Sequence, residues 1–482
     1  MAKSTEIRSA SEVGRFDGEA EVLVVGLGCA GASAAMEAAD LGADVLVLER
    51  AGGGGGTSAN SGGLIYMGGG TPVQEAAGFD DTPDEMFKFL MAATAPGSHE
   101  AKIRLYCDES VDHFHWLESL GIPFKRSFYP EPSMESATDD CLVYSGGEDC
   151  APFNTIAKPA PRAHKPQVDG KAGPFFMQCM LAAVEKRPLR VELGVKAEAL
   201  VRDADGRIVG VVARQDGVER AYRGRRAVVL SAGGFAMNDE MLAQYVPQLL
   251  KAAARSATEG DDGSGIRMGA AVGGALLRMD QSEVALATTI PSRLGRGIYV
   301  NQHGVRFINE DTYYGHIGIE ALFRQNGRVW MVVDDAIFER NFFGQQPAHV
   351  GETIAELEAL AGFATGVLQA TVSQYNEFAE RGVDPIYGKR AEFLVPLVNP
   401  PFAILDCTTE NGPYSGITMG GLATGLNGEV LDIEGDPIPG FYAAGRTAAL
   451  FCGPGYAASG ISLADGTFFG RRAGRAAVEE PG

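Results

Sequence analysis

The sequence is short of paired cysteines and of positive charge, and each shortage excludes a class of protein. Its seven cysteines are an odd number without any C-x-x-C pair, which argues against a disulfide framework, a zinc ribbon and an iron–sulfur cluster, so we expect no metal site. Lysine and arginine total 41 against 62 aspartates and glutamates, a formal charge of −21. Because such a chain repels phosphate backbones and anionic lipid surfaces, nucleic acids and membrane surfaces are poor partners.

Long apolar runs are also missing. No segment reaches the ~18 apolar residues that a membrane-spanning helix needs, and residues 1–20 lack the apolar core of a signal peptide. We therefore expect a cytoplasmic protein without a transmembrane segment, and we assign residues 1–20 to a polar N-terminal tail. At roughly 150 residues per domain, a chain of 482 residues predicts two or three domains.

Glycine, in contrast, is abundant. It accounts for 64 of the 482 residues, well above the roughly 7% of an average protein. The first cluster, Gly26-Leu-Gly28-Cys-Ala-Gly31, follows an apolar strand-like run and precedes an Ala-rich helical stretch, after which a second strand-like run follows. In such a βαβ unit Gly26 makes the tight turn, Gly28 lets the backbone approach a pyrophosphate, and Gly31 permits close packing of helix and strand. This arrangement predicts a dinucleotide-binding fold.

Glu49 ends the second strand, 21 residues after Gly28, where it can accept hydrogen bonds from an adenosine ribose. Its negative charge disfavours the 2′-phosphate of NADP. The chain then enters a small, polar, Gly-rich loop at residues 52–63, where an NAD domain would continue with further βαβ repeats. A second G-x-G-x-x-G in a βαβ context is also missing downstream, so we expect FAD, no nicotinamide domain, and reoxidation by a separate electron acceptor.

Further motifs follow in order along nearly the whole chain. They are Gly56-Thr-Ser-Ala-Asn-Ser-Gly-Gly63, Val228-Val-Leu-Ser-Ala-Gly-Gly-Phe235, Gly260-Asp-Asp-Gly-Ser-Gly265, Gly297-Ile-Tyr-Val-Asn301, Arg306-Phe-Ile-Asn-Glu310, Gly440-Phe-Tyr-Ala-Ala-Gly-Arg446 and Gly455-Tyr-Ala-Ala-Ser-Gly-Ile-Ser-Leu-Ala464. With these motifs the sequence resembles the family of FAD-dependent fumarate reductases and 3-ketosteroid dehydrogenases. In that family the last motif begins a helix whose N–H groups face the N1/O2 edge of the flavin.

The resemblance implies an α/β fold with a Rossmann-type FAD-binding domain, discontinuous and with an inserted β-meander, plus an α+β substrate-binding domain. We place the FAD-binding domain at residues 21–276 and 412–482 and the substrate-binding domain at 277–411. The FAD is expected to be noncovalent, since the loop at 56–63 contains no histidine. The positions expected to bind it are Gly26, Gly28, Cys29, Ala30, Gly31, Glu49, Arg50, Thr57, Ser58, Ser61, Gly62, Gly63, Ala232, Gly233, Asn238, Asp262, Ala444, Gly445, Arg446, Gly460, Ser462 and Leu463.

Two Tyr-containing segments, Glu310-Asp-Thr-Tyr313-Tyr314-Gly and Gly453-Pro-Gly-Tyr456-Ala-Ala-Ser459-Gly, resemble the active-site segments of the 3-ketosteroid Δ4-(5α)-dehydrogenase branch of this family. The resemblance implies that Tyr456 removes the C4 proton of a 3-keto-5α-steroid, Ser459 relays that proton, and Tyr313 polarises the ketone, while the roles of the two tyrosines could be reversed. The family serine is expected two residues after the tyrosine, where this chain has Ala458. Adjacent tyrosines cannot both face the site in an extended segment, which leaves Tyr314 without a role.

The expected reaction is desaturation of C4–C5 of an apolar ketosteroid. The aromatic stretch at 121–180 suits such a substrate, through Phe128, Tyr129, Phe153, Phe175 and Phe176. One alternative is a flavin-dependent C=C reductase of the fumarate reductase type, although its His/Arg constellation is not recognisable among the histidines and arginines of residues 277–411. Another alternative is an electron-transfer subunit without a substrate of its own.

Overall fold

The computed structural model describes residues 7–94, 97–131, 136–453 and 455–481. Its α-helices are α1 (Ala10–Val13), α2 (Cys29–Asp40), α3 (Gly56–Ala59), α4 (Pro72–Ala76), α5 (Pro83–Ala93), α6 (Glu100–Asp108), α7 (Ser110–Ser119), α8 (Gly173–Glu185), α9 (Asp239–Tyr245), α10 (Ser264–Ala271), α11 (Tyr314–Ile319), α12 (Ile354–Ala361), α13 (Val367–Arg381) and α14 (Ile461–Glu479). None of the helices in the described ranges is long and apolar enough to cross a membrane.

The strands form five sheets. They are β1 (Arg8–Ser9), β2 (Gly18–Val25), β3 (Val45–Glu49), β4 (Ile65–Tyr66), β5 (Leu142–Val143), β6 (Ala163–His164), β7 (Arg190–Leu193), β8 (Val195–Arg202), β9 (Ile208–Gln215), β10 (Val218–Leu230), β11 (Ala254–Arg255), β12 (Leu276–Leu277), β13 (Ser282–Leu286), β14 (Ile298–Asn301), β15 (Val329–Asp334), β16 (His349–Gly351), β17 (Phe402–Asp406), β18 (Tyr414–Thr418), β19 (Gly421–Leu422), β20 (Glu429–Leu431) and β21 (Pro437–Ala443).

The largest sheet has nine strands and contains the predicted βαβ unit. Its main path runs β1-β8-β9-β10-β2-β3-β7, and β21 joins it through β10. Strands β2 and β3 are parallel, with Val22 opposite Val45, and every residue of β3 is buried. Two covered faces explain why residues 22–25 of β2 and 45–48 of β3 are continuously apolar in sequence. The Rossmann-type fold predicted from residues 21–49 is confirmed.

The β-meander lies in the same sheet. Strands β8, β9 and β10 pair antiparallel, as the sequence predicts for this segment. The turn between β9 and β10 is the two-residue Asp216-Gly217, and both residues have positive φ, at 49° and 80°. Positive φ at both central positions is the requirement of the tight hairpin turn that matches the twist of the strands.

The N-terminal region differs from its prediction as a polar tail. Residues 1–6 lie outside the described residues, but β1 pairs with β8 and β2 already begins at Gly18. Helix α1 places Val13 against the meander, together with Phe16. The stretch assigned to a tail therefore contributes residues 8–9 and 18–20 to the large sheet, and its few apolar side chains cover the outer face of that sheet.

A second sheet, β14-β15-β17-β16, has its own apolar core with α11, α12 and α13 around it. It lies within residues 298–406, inside the stretch predicted to be the substrate-binding domain, and gives the chain its α+β part. The short sheet β11-β18-β13 is formed where the chain passes between the two larger sheets: β11 and β13 precede β14 in sequence, and β18 follows β17. The helical segment at 354–381 is divided into α12 and α13 by Gly362 and Gly366, which both adopt positive φ.

Helix α14 packs against α2 through a stripe of glycines. A Cβ atom on Gly466 would lie 2.7 Å from the Cys29 sulfur, one on Gly470 would lie 2.5 Å from the Ala30 carbonyl oxygen, and one on Gly474 would lie 2.2 Å from the Ala34 carbonyl oxygen. Contact positions rise together along both helices, so the helices are parallel. The glycines, spaced four residues apart on one face, thus bring the two backbones together with both N-termini pointing the same way.

Substitution of Gly470 by valine tests this packing. The new side chain would overlap the Ala30 backbone, and overpacking of this kind lowers the free energy of unfolding by about 1–3 kcal/mol. Urea denaturation of the purified protein should show the loss. Gly52→Val is the matched control, because a Cβ at Gly52 meets no atom within 4 Å, and equal stability losses in the two variants would contradict the packing argument.

Candidate functional site

A cavity of about 1460 Å³ lies at the N-termini of α2 and α14. Sites for a single small molecule usually measure roughly 300–1,000 Å³, so this cavity has room for an extended dinucleotide and a second ligand. Most of the residues predicted to bind the cofactor line it. They are Gly26, Gly28, Cys29, Ala30, Glu49, Arg50, Thr57, Ser58, Ser61, Gly62, Gly63, Ala232, Gly233, Gly445, Arg446, Gly460, Ser462 and Leu463.

The fingerprint glycines and Glu49 have the geometry that their proposed roles require. Gly26 has φ +100°, and a Cβ there would lie 2.4 Å from the Ser231 carbonyl oxygen. Gly28 instead lines the cavity, where the absence of a side chain leaves room for a ligand. The Glu49 carboxylate accepts the backbone N–H groups of Leu27 and Ala51, both at 2.8 Å. These bonds fix a carboxylate that still has acceptor capacity for ribose hydroxyls.

Four of the predicted cofactor positions do not line the cavity: Gly31, Asn238, Asp262 and Ala444. Gly31 packs against the strand, as a Cβ there would lie 1.9 Å from the Gly26 carbonyl oxygen. The Asn238 side chain caps α9, and Asp262 forms an ion pair with Arg50 at 2.9 Å. These residues shape or support the cavity from outside it.

Asp261, the neighbour of the predicted Asp262, does line the cavity. It forms a buried ion pair with Arg446. One oxygen of Asp261 and one nitrogen of Arg446, Oδ1 and Nη1, have no hydrogen-bond partner among the described residues. Buried polar atoms are nearly always paired, so these two indicate a polar ligand in the cavity. Together with the glycine turn and Glu49, they fit FAD.

The Tyr456 hydroxyl lies at the first turn of α14. It accepts the Ser462 N–H at 3.0 Å and donates to Ser462 Oγ at 3.1 Å. Burial and the nearby carboxylate of Glu283 raise the pKa of Tyr456, whereas the bonds from Ser462 lower it. The helix N-terminus therefore favours a tyrosinate here, but burial outweighs it and keeps the phenol protonated.

Tyr313 and Tyr314 both reach Ser459. Their hydroxyls lie 3.0 Å and 2.5 Å, respectively, from Ser459 Oγ. Tyr314 and Ser459 line the cavity. Tyr313 is the N-cap of α11 and is buried, so it lies behind them. The chain turns into a helix at this point, which is why the argument from an extended segment was wrong. Ala458, at the position expected for the serine, is fully buried.

The Ser459 backbone is held by a turn that the sequence did not identify. Ser459 N–H donates to the Ser145 carbonyl oxygen at 3.0 Å, and the Ser145 hydroxyl donates back to the Ser459 carbonyl oxygen at 2.9 Å. The Glu148 carboxylate in turn accepts the Gly146 N–H at 2.9 Å. Burial raises the pKa of Glu148 to about 7. No motif marks these residues, since they lie about 310 positions from Ser459 in the chain.

The apolar lining comes from residues other than those predicted. Of the five aromatic residues expected to hold an apolar substrate, only Tyr129 lines the cavity. Phe176 is fully buried in the core, and Phe153 packs on Phe89. The prediction was wrong because aromatic side chains are more often core residues than ligand contacts. The apolar residues that line the cavity come instead from the second half of the chain. They include Ile290, Pro291, Phe342, Phe343 and Ile417.

Within residues 277–411, all of which the structure describes, Glu283 is the one charged residue that lines the cavity. None of the arginines or histidines of that stretch lines it. Arg306 forms buried ion pairs with Glu310 and Asp384, and Arg293 donates to the Ala336 carbonyl oxygen. The described residues also contain no group of three histidines, cysteines or carboxylates that could hold a metal ion.

Comparisons with known proteins show the family of the chain. The profile of the FAD binding domain matches residues 21–463. A crystal structure of 3-ketosteroid Δ4-(5α)-dehydrogenase from Rhodococcus jostii RHA1, in complex with 4-androstene-3,17-dione, is similar with a TM-score of 0.94 and 46% identity, covering 98% of this chain and 99% of that one. The 3-oxo-5-alpha-steroid 4-dehydrogenase of Comamonas testosteroni is 27% identical, covering 91% of this chain and 94% of its own length.

A reductase is also similar to this chain. It is the "Probable fumarate reductase Ifc3" of Shewanella frigidimarina (strain NCIMB 400), which is 28% identical over 94% of this chain and 74% of its own length. The comparisons thus include both dehydrogenases and reductases. Residues that line the cavity must distinguish between the two directions of flavin chemistry.

The mode of FAD attachment can be measured directly. We predict that acid precipitation of the yellow holoprotein releases the flavin into the supernatant, because the loop at 56–63 offers no histidine for a covalent bond. Absorbance of the supernatant and of the redissolved pellet gives the two fractions. A pellet that retains stoichiometric flavin would contradict noncovalent binding.

Proposed function

The chain belongs to the FAD binding domain family and is an FAD-dependent oxidoreductase, and from that premise we propose that it is a 3-ketosteroid Δ4-(5α)-dehydrogenase. The reaction desaturates C4–C5 of a 3-keto-5α-steroid, with loss of a proton from C4 and a hydride from C5. The observation that carries the proposal is the set of cavity-lining hydroxyls of Tyr314, Tyr456 and Ser459, near the N-terminus of α14. Similarity to the Rhodococcus enzyme supports it.

The hydroxyls suit the charge that develops in this reaction. FAD, when bound, supplies the acceptor for the C5 hydride at N5 of its isoalloxazine ring. As the C4 proton leaves, negative charge develops on the C3 ketone oxygen, and a phenol held neutral by burial can donate a hydrogen bond to that oxygen. We assign this task to Tyr314, which lines the cavity, whereas the resemblance assigned it to Tyr313. Tyr313 is then a positioning residue that holds Ser459 from behind.

We assign removal of the C4 proton to Tyr456. A tyrosinate accepts a carbon-bound proton, and the Ser462 N–H at the start of α14 places positive partial charge beside its oxygen. The relay implied by the resemblance is Ser459, whose hydroxyl bonds to those of Tyr313 and Tyr314, whereas the Tyr456 hydroxyl bonds to Ser462. Because burial raises the pKa of Tyr456, only a small fraction is ionised at neutral pH, and turnover should rise as the pH increases.

The fumarate reductase type is the second candidate, because Ifc3 is similar over most of the chain. A dicarboxylate needs cations at the reacting end of the cavity. Arg306 is neutralised by Glu310 and Asp384 outside the cavity lining, and Glu283 adds a carboxyl group to the cavity. These charges favour an uncharged substrate. An electron-transfer role without a substrate would leave the space beyond the cofactor without a use.

The direction of the reaction is tested by anaerobic mixing. Oxidised holoprotein mixed with a 3-keto-5α-steroid should lose its flavin absorbance in the visible range, and the Δ4-3-ketosteroid should be the product. Dithionite-reduced protein mixed with fumarate should remain reduced. Reoxidation by fumarate, without bleaching by any ketosteroid, would contradict the proposal and support the second candidate. We also propose that a separate quinone-like or protein acceptor reoxidises the flavin.

Substitution of Tyr456 by phenylalanine should lower the rate of anaerobic bleaching by the steroid at least about a hundredfold, since a positioned base contributes about 10²–10⁴-fold. Bound FAD should be retained, because only one hydroxyl is removed. Stopped-flow absorbance measures the rate and the visible spectrum measures FAD content. Tyr245→Phe is the control, as Tyr245 packs on Phe235 away from the cavity lining. A Tyr456→Phe variant as fast as wild type would remove the base assignment.

A further inference from the structure

Glu283 is a carboxyl group on the wall of the cavity. It belongs to β13, where side chains alternate: Glu283 and Ala285 line the cavity, whereas Val284 and Leu286 lie in the apolar core. The paired strand β18 contributes Ser415 and Ile417 to the same wall. Of the residues that line the cavity from these two strands, Glu283 alone is charged. Its carboxylate makes no hydrogen bond among the residues that the structure describes.

The groups that act on Glu283 come from three other parts of the fold. Arg446 attracts its charge, but the Arg446 guanidinium already forms an ion pair with Asp261. Tyr313, before α11, and Tyr456, before α14, both feel the negative charge of Glu283, which raises the pKa of each. The carboxyl is therefore near the tyrosines of the reacting end, and its charge is only partly compensated.

The other cations of the cavity lining lie elsewhere. Arg50 forms an ion pair with Asp262, and the Lys196 ammonium lies 3.7 Å from that same carboxylate. Lys171 is exposed and stands next to Ala172, whose N–H binds the Gly62 carbonyl oxygen. Among the described residues, no lining cation is thus placed with the tyrosines except the neutralised Arg446.

We propose that Glu283 is a specificity-determining residue that excludes carboxylate-bearing ligands from the reacting end of the cavity and thereby selects uncharged ketones. The inference rests on the proposed function and defines its substrate class more narrowly. A ligand carboxylate bound beside the tyrosines would meet the Glu283 carboxylate in a site with little water, where like charges repel more strongly than in solution. A ketone without charge meets no such repulsion.

The selection depends on pH in a definite direction. Burial raises the pKa of Glu283 to about 7, while the charge of Arg446 lowers it. The carboxyl is ionised above that pKa and neutral below it. Discrimination against anionic ligands is therefore present at higher pH and is lost as the pH falls through about 7.

The test uses the holoenzyme and two mimics of the steroid A ring that differ in charge, 4-oxocyclohexanecarboxylate and its methyl ester. Dissociation constants come from the change in the oxidised flavin spectrum on binding. In the wild type the preference for the ester should increase about tenfold from below to above the pKa of Glu283, the size expected for two charges several ångströms apart in a protein. In Glu283→Gln the preference should be smaller and constant with pH.

Glu240→Gln is the matched control, since it removes an equal charge from the exposed first turn of α9. An ester preference that is constant with pH in the wild type overturns the inference, even if Glu283→Gln does not fold. An unchanged, pH-dependent preference in a folded Glu283→Gln variant overturns it as well. If 4-androstene-3,17-dione fails to bind and no ketosteroid bleaches the flavin, the proposed function fails. If bleaching occurs without the charge effect, only the role of Glu283 fails.

Discussion

The close contact between α2 and α14 is the constraint on which the site depends. Glycines at 466, 470 and 474 let the two helices run parallel at a distance that any side chain on this face would prevent. Their N-termini consequently reach the same cavity, one after Gly28 and the other after Gly460. The second donates the Ser462 N–H to Tyr456, and we propose that the first binds the pyrophosphate of FAD and the second faces the flavin.

The cofactor half of this arrangement was predictable because its information is local. Gly26, Gly28 and Glu49 lie within one βαβ unit, so their spacing in sequence determines their spacing in space. The glycine-rich loop and the start of α14 carry equally local signals. The sequence analysis chose Asp262, whereas Asp261 lines the cavity, since both fit a Gly-rich loop and only the turn into α10 determines which carboxylate faces inward.

The substrate half was less predictable because its residues are brought together from distant segments. Ser145 supports Ser459 although they are far apart in the chain, and no pattern of residue types marks that contact. Glu283 lies in a strand of five residues, too short for an alternation of polar and apolar residues to be recognised. The tyrosine pair was misjudged for a related reason: a helix begins at Tyr314, and that start depends on packing of α11 against β13.

Burial and helix polarity act in opposite directions on this site. The apolar surroundings raise the pKa values of Tyr313, Tyr456 and Glu283 and so disfavour their charged forms, which suits an uncharged, apolar substrate. The N-terminus of α14 acts against that tendency at one atom, the Tyr456 oxygen, where a negative charge is needed during the reaction. Reactivity is therefore expected to be confined to the carbons held beside Tyr456.

The most direct measurement follows the fate of isotopic labels in a single anaerobic turnover. A 3-keto-5α-steroid carrying deuterium at C5 should bleach the flavin more slowly than the unlabelled steroid, and mass spectrometry of the product should show that the C5 deuterium is lost. Deuterium placed at C1 should be retained. Loss of the C1 label with retention of the C5 label, or turnover without any isotope effect from C5, would contradict a C4–C5 dehydrogenation at this site.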